Sequence, residues 1–160
     1  MSIINSIAKC KKRIGHGASR NVFYSRRYNV VIKRMRDPKC AFDNDQMQSE
    51  CELFDSMTEA EKEIFPITGY VELKNGEKVV MMKKCEVVDD LNEYRRAFFA
   101  ADGYRTQVKF WDEAARIAGL DTKTNKCLAD FIKKNGITDV HHQNVGVLNN
   151  HFVLIDAGCR

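Results

Sequence analysis

Proline is scarce in this chain: two residues in 160, Pro38 and Pro66. No low-complexity linker, long charge block or internal repeat interrupts the sequence, so a single domain is the default reading. Long hydrophobic runs are also missing. The longest, Val79–Met82 and Ala97–Ala101, fall far short of the ~20 residues that span a bilayer, and no membrane association is expected. Charge appears within a few residues of Met1 and no cleavage-site pattern follows, so no secretory signal is expected. The six cysteines (Cys10, Cys40, Cys51, Cys85, Cys127 and Cys159) include no C-x-x-C pair. An even count permits a disulfide framework, but without a secretory signal they read as reduced thiols in a cytoplasm.

Hydrophobic residues make up 44% of the chain and charged residues 30%, an ordinary globular composition that argues against disorder. The formal net charge is +4, which mildly favours anionic partners such as nucleotides or nucleic acid. The densest basic groups are Lys9 with Lys11–Arg13, and Lys33-Arg34 with Arg36. Aromatic residues are not interleaved with them, so a nucleic-acid platform is only weakly signalled.

The first third reads as strands: residues 7–15 running into a glycine turn, then 21–25 and 29–35, the last with β-branched Val30-Val31-Ile32. A helix is expected over 43–57, with Met47, Phe54 and Met57 on one face and Leu53 nearby. Glu50 lies inside that stripe, and a buried carboxylate there needs a partner. Strands follow at 67–73 and 78–82, joined by the turn Lys74-Asn75-Gly76-Glu77. Residues 89–135 read as helical. Val108, Trp111 and Ala115 share one face, Leu128, Phe131 and Ile132 another, and Gly136 is placed as a C-terminal cap. A hairpin, 145–148 and 151–155, ends the pattern around Asn149-Asn150. Strands gather in the first half and helices in the second, an α+β arrangement rather than an alternating parallel sheet.

Three groups of residues carry chemistry. Gly15-His16-Gly17-Ala18-Ser19-Arg20-Asn21-Val22 places two glycines between strands, where backbone amides can approach a phosphate; plain turns use the same pattern. A strand follows, so this is neither a Walker loop nor a Rossmann fingerprint. Lys33, on a buried strand, gains meaning beside Glu50, because the two can satisfy one another next to a phosphate. Asp139 and Asn144 are five apart, and Asp156 ends an apolar strand twelve residues later. Two aspartates and an asparagine suit a hard cation with oxygen ligands, with one aspartate left to orient a hydroxyl. A transition-metal set of His141, His142, Asp139, His151 and Asp156 is the weaker alternative; His141 reads rather as a loop-ordering residue.

In this order the motifs resemble the protein-kinase-like superfamily over nearly the whole chain. The likeness is to its small-molecule branch, aminoglycoside and choline phosphotransferases, and to small kinase-like proteins of bacteriophages. The resemblance implies a two-lobed fold: an N-lobe over 1–85, an antiparallel sheet plus one helix, and a truncated helical C-lobe over 86–160. It implies ATP and Mg²⁺ as cofactors. Gly15, His16, Gly17, Ala18, Ser19 and Val22 match the glycine-rich loop, with Arg20 in place of its third glycine. Lys33 matches the phosphate-binding lysine, Glu50 its helix partner, Asp139 the catalytic base, and Asn144 and Asp156 the metal ligands. Residues 79–85 fall where an adenine-binding hinge is expected. The compartment implied is a host cytoplasm if the chain is phage-encoded.

The departures are specific. Ile137 and Thr138 stand where the usual histidine and arginine precede the catalytic aspartate, and only Cys159-Arg160 follow Asp-Ala-Gly. No activation segment or peptide-docking helices are therefore expected. The function expected is γ-phosphate transfer to a hydroxyl on a protein or small molecule. The rival is a catalytically weak or inactive kinase-like module that binds a host or regulatory protein. Apolar surface where later helices would pack also allows a homodimer.

Overall fold

A β-branched run drives the first sheet. In the computed structural model, which describes residues 12–16 and 20–158, Val30-Val31-Ile32 opens the central strand β3 (Val30–Met35). Its neighbours are β1 (Arg13–His16), β2 (Arg20–Ser25), β4 (Ile67–Glu72) and β5 (Lys78–Lys83). The sheet order is β1-β2-β3-β5-β4, antiparallel at every pairing. Asn29 turns β2 into β3 at φ 51°, and its side-chain oxygen accepts from the Tyr24 hydroxyl at 2.8 Å. Gly76, at φ 80°, makes the β4–β5 turn, where Leu73 N–H donates to Glu77 O at 2.8 Å.

Period-two alternation sorts the strands onto two faces. Ile32 and Val79 are fully buried on one, flanked by Phe23, Val71 and Met81. Opposite partners in register, Val22↔Lys33 and Lys33↔Val80, share the other. Helix α1 (Ala41–Ser56) buries Met47, Glu50, Cys51 and Leu53. It begins two residues earlier than the sequence suggests and stops before Met57. Phe54, expected on the buried stripe, is half-buried and meets the Tyr70 ring edge-on at 6.1 Å.

The chain divides into two units, Met1–Ser56 with Ile67–Lys84, and Met57–Pro66 with Cys85–Arg160. Residues 57–66, grouped by sequence with the first 85, belong to the second unit. The reason is a helix the periodicity did not reveal, α2 (Glu59–Ile64), whose Phe65 flank packs on Phe131 at 6.0 Å. The second unit continues through β6 (Glu86–Val87), a 3₁₀ turn (Val88–Asp90), α3 (Asn92–Ala100), α4 (Val108–Ala118), α5 (Asn125–Lys134), β7 (Val145–Leu148) and β8 (His151–Leu154). β6-β7-β8 form a small antiparallel sheet. The helices expected over 89–135 are therefore three, and β6 is an additional strand.

An aromatic cluster fills this unit. Trp111 lies 5.1 Å from Phe110, 6.2 Å from Phe98 and 5.6 Å from Phe152. Its buried indole N–H donates to Arg105 O at 2.7 Å, the partner such a group requires. Asn149 and Asn150 take φ 49° and 63°, the pair of left-handed residues that a two-residue hairpin turn demands. Taken together, the chain is α+β. Among the described residues no helix is long and apolar enough to cross a membrane. Among the described residues Cys40, Cys51, Cys85 and Cys127 form no disulfide; Cys10 and Cys159 lie outside the described residues.

Candidate functional site

The chemistry-bearing residues form one cluster within each unit. In the first, the β2–β3 register puts Arg20, Val22, Lys33 and Met35 on the same sheet face, because Arg20 opposes Met35 and Val22 opposes Lys33. α1 presents Glu50 to that face. Lys33 Nζ donates to Glu50 Oε1 at 2.9 Å, and Arg20 Nη1 lies 2.7 Å from the same oxygen. All three are buried, with Glu50 at 0% and Arg20 and Lys33 at 4% exposure. A carboxylate so enclosed would be strongly destabilising without cations, so the cluster is held as a unit. Sequence reasoning brought Lys33 and Glu50 together but missed Arg20. The signal was its position two before Val22, which puts it within diagonal reach of Lys33 once the register is known.

Gly15 pairs with Val22 in β1. Among the described residues, a side chain at Gly15 would meet only Val22 Cβ, at 3.9 Å. His16 closes β1 opposite Asn21. Gly17, Ala18 and Ser19 lie outside the described residues.

In the second unit the loop after α5 gathers Asp139, His141 and Asn144. Asn144 Nδ2 donates to Asp139 O at 2.9 Å and to Asp139 Oδ2 at 3.1 Å. Both of its amide hydrogens are thereby committed, and Oδ1 is the atom that could serve as a ligand. His141 Nδ1 accepts from Gln143 N–H at 3.2 Å, which places the neutral ring's proton on Nε2, 3.3 Å from Asp139 Oδ1. His141 thus orders the loop and orients the aspartate. Asn144 O accepts from Ile155 N–H at 2.9 Å, tying the loop to the end of β8 one residue before Asp156. Asp156 Oδ1 accepts from Gly158 N–H at 2.8 Å.

His142 contacts Asp89 at 3.2 Å and packs on Phe99 at 4.9 Å. His151 has Nδ1 3.2 Å from Asn149 O and Nε2 3.1 Å from Glu63 O; whichever nitrogen carries the neutral ring's proton donates to one of these carbonyls and anchors β8. The described residues contain no group of three or more His, Cys, Asp or Glu side chains arranged around a metal. What Asn144 and Asp156 offer is an amide oxygen and a carboxylate, hard donors that fit Mg²⁺, which takes few protein ligands and fills its shell with phosphate and water.

The chain matches no protein-family model and no curated protein sequence.

Proposed function

We propose that the protein is a small kinase-like phosphotransferase that moves the γ-phosphate of ATP to a hydroxyl on a protein or small molecule. The observation that carries this reading is the buried Lys33–Glu50 contact at 2.9 Å. A lysine this enclosed is poorly explained as a solvated strand residue. A fixed ammonium held by one carboxylate is what neutralising polyphosphate oxygens requires. The Asp139, Asn144 and Asp156 set supports the same reading, since it supplies the remaining oxygen chemistry.

Each residue then has a defined task. Backbone amides of the glycine turn, residues 15–19, cover phosphates, and Val22 bounds the nucleotide. Lys33 neutralises α- and β-phosphate oxygens while Glu50 fixes its position. Asn144 Oδ1 and the Asp156 carboxylate would hold Mg²⁺, which when bound offsets charge on the phosphates. Asp139 accepts a hydrogen bond from the acceptor hydroxyl and takes its proton as the new P–O bond forms and the bond between the γ-phosphorus and the bridging oxygen of the β-phosphate breaks, so that ADP leaves with that electron pair. Asn144 and His141 hold the Asp139 carboxylate in place for that task. Phosphoryl transfer asks mainly for positioning and charge neutralisation, so this short set is chemically sufficient.

The decisive experiment measures melting with ATP and Mg²⁺, then ATP turnover by wild type and Asp139→Asn. A Mg²⁺-dependent rise in Tm, with turnover falling about 10²–10⁴-fold in the variant, is the expected result. Nucleotide binding without turnover, with or without candidate protein partners, would instead favour the binding-module reading. Salt-sensitive oligonucleotide binding in place of ATP binding would favour a nucleic-acid role.

A further inference from the structure

Two cations, Arg20 and Lys33, contact a single oxygen of Glu50 at 2.7 and 2.9 Å. The second oxygen, Oε2, is buried and takes no hydrogen bond among the described residues. This is an uneven use of a carboxylate, because a guanidinium fork is shaped to take both oxygens at once. Arg20 is also the first residue of β2, so it joins the start of that strand to α1 through Glu50.

We infer that Arg20 is a positioning residue that keeps Glu50 neutralised when Lys33 engages phosphate; the nucleotide half of this inference rests on the phosphotransferase reading. An ammonium drawn toward a polyphosphate gives up part of its hold on Glu50. With no second cation, the buried carboxylate would be left uncompensated, and Lys33 would be retained against its phosphate role. With Arg20 present, the fork closes over Oε1 and Oε2 and Lys33 is released. Charge is conserved throughout: one carboxylate exchanges a shared pair of cations for one bidentate cation.

The first arm of the test needs no nucleotide. Melting curves are compared for wild type, Arg20→Met, Lys33→Met, the double variant, and the double variant carrying Glu50→Gln. Each single substitution should lower Tm modestly, because the other cation still covers Glu50. The double should lose more than the sum, and removing the Glu50 charge should restore much of the loss. Additive losses, or a triple variant no more stable than the double, overturn the shared hold. A double variant that fails to fold while the triple folds supports it.

The second arm measures binding of ATP and of adenosine. Arg20→Met should weaken ATP binding about tenfold or more and leave adenosine binding unchanged. Arg20→Lys should fall short of wild type, because a point charge cannot bridge both oxygens. Equal losses for ATP and adenosine would make Arg20 merely structural and overturn the nucleotide half. Wild-type protein that binds no ATP overturns the phosphotransferase reading, while the melting series still decides whether Arg20 holds Glu50.

Discussion

A methyl group on Gly158 would stand 2.8 Å from Asp139 Cβ and 3.2 Å from its Oδ2. The backbone there has φ +62°, a conformation other residues rarely adopt. Glycine is therefore demanded twice, by the torsion and by the passage of the chain against the candidate base. Gly136 has nearly the same torsion, φ +61°, but nothing among the described residues lies within 4 Å of its would-be side chain. Gly136→Ala should therefore cost only backbone strain, about 1 kcal/mol, and, on the phosphotransferase reading, leave turnover near wild type. Gly158→Ala should cost about 1–3 kcal/mol and also displace Asp139, so turnover should fall well beyond the stability loss. Urea denaturation and ATP turnover on both variants check this. Equal turnover in the two would show that the contact with Asp139 does not matter.

The start of α2 makes the second unit sensitive to acid. Thr58 and Glu61 form a reciprocal capping box: Thr58 N–H donates to Glu61 Oε2 at 2.8 Å, and Glu61 N–H to Thr58 Oγ1 at 3.2 Å. Lys134, from the last turn of α5, adds a contact to Glu61 Oε1 at 2.9 Å. Burial pushes the Glu61 carboxyl up, but the Thr58 N–H and Lys134 outweigh it and leave it below its ordinary value. A lowered folded pKa means that the group's stabilisation is complete above the unfolded value, about 4.3, and is lost as pH falls through the folded one. Glu61→Gln should therefore lower Tm at pH 7, and the gap from wild type should close as pH drops below about 4. Thr58→Ala should cost about 0.5–2 kcal/mol at pH 7. A gap between wild type and Glu61→Gln that is constant with pH would remove the ionised carboxylate from the account.

Cys51 lies in α1 beside Glu50, 2% exposed. Burial, with smaller contributions from neighbouring carboxylates, pushes its thiol up to about 11. Thiolate is the reactive species, so Cys51 should be almost inert at pH 8. Alkylation followed by peptide mass mapping should leave Cys51 unmodified in the native protein and label it after unfolding. Native labelling of Cys51 at the rate of the half-buried Cys40 would show that α1 opens readily from the sheet.

Local pattern carried much of the fold. β2, β3, β5 and β7 appear close to where alternation and β-branching put them, and Asn29, Gly76 and Asn149-Asn150 supply the turns. Glu50 was legible because a charge inside an apolar stripe demands a partner, and Lys33 was at hand. What escaped was whatever depends on register or on very short elements. Arg20 joins Glu50 only because the β2–β3 register sets Val22 opposite Lys33, which brings Arg20, two residues earlier, onto the same face. Glu77 reads as a turn residue, yet it is 4% exposed and held by Arg34 at 2.9 and 2.6 Å. α2 spans six residues and β6 two, too short for periodicity, although Thr58-Glu59-Ala60-Glu61 carried the capping-box spacing that would have flagged α2.

Asp156 is tested by removing its charge while keeping its shape. Its Oδ1 accepts the Gly158 N–H at 2.8 Å, and an asparagine keeps that acceptor. Asp156→Asn should therefore preserve the turn that sets Gly158 against Asp139 while removing the negative charge a cation needs. On the phosphotransferase reading, turnover should be abolished. ATP should still bind weakly through Lys33 and the glycine turn. The extra rise in Tm that Mg²⁺ gives over ATP alone should largely disappear, because ligand stabilisation follows affinity for the folded state. Melting of the apo variant, measured alongside, tells a lost ligand from a lost fold. A variant that keeps both the Mg²⁺-dependent shift and wild-type turnover would assign Asp156 a structural role. The proposed metal site would then lose the carboxylate assigned to it, since Asn144 brings only an amide oxygen.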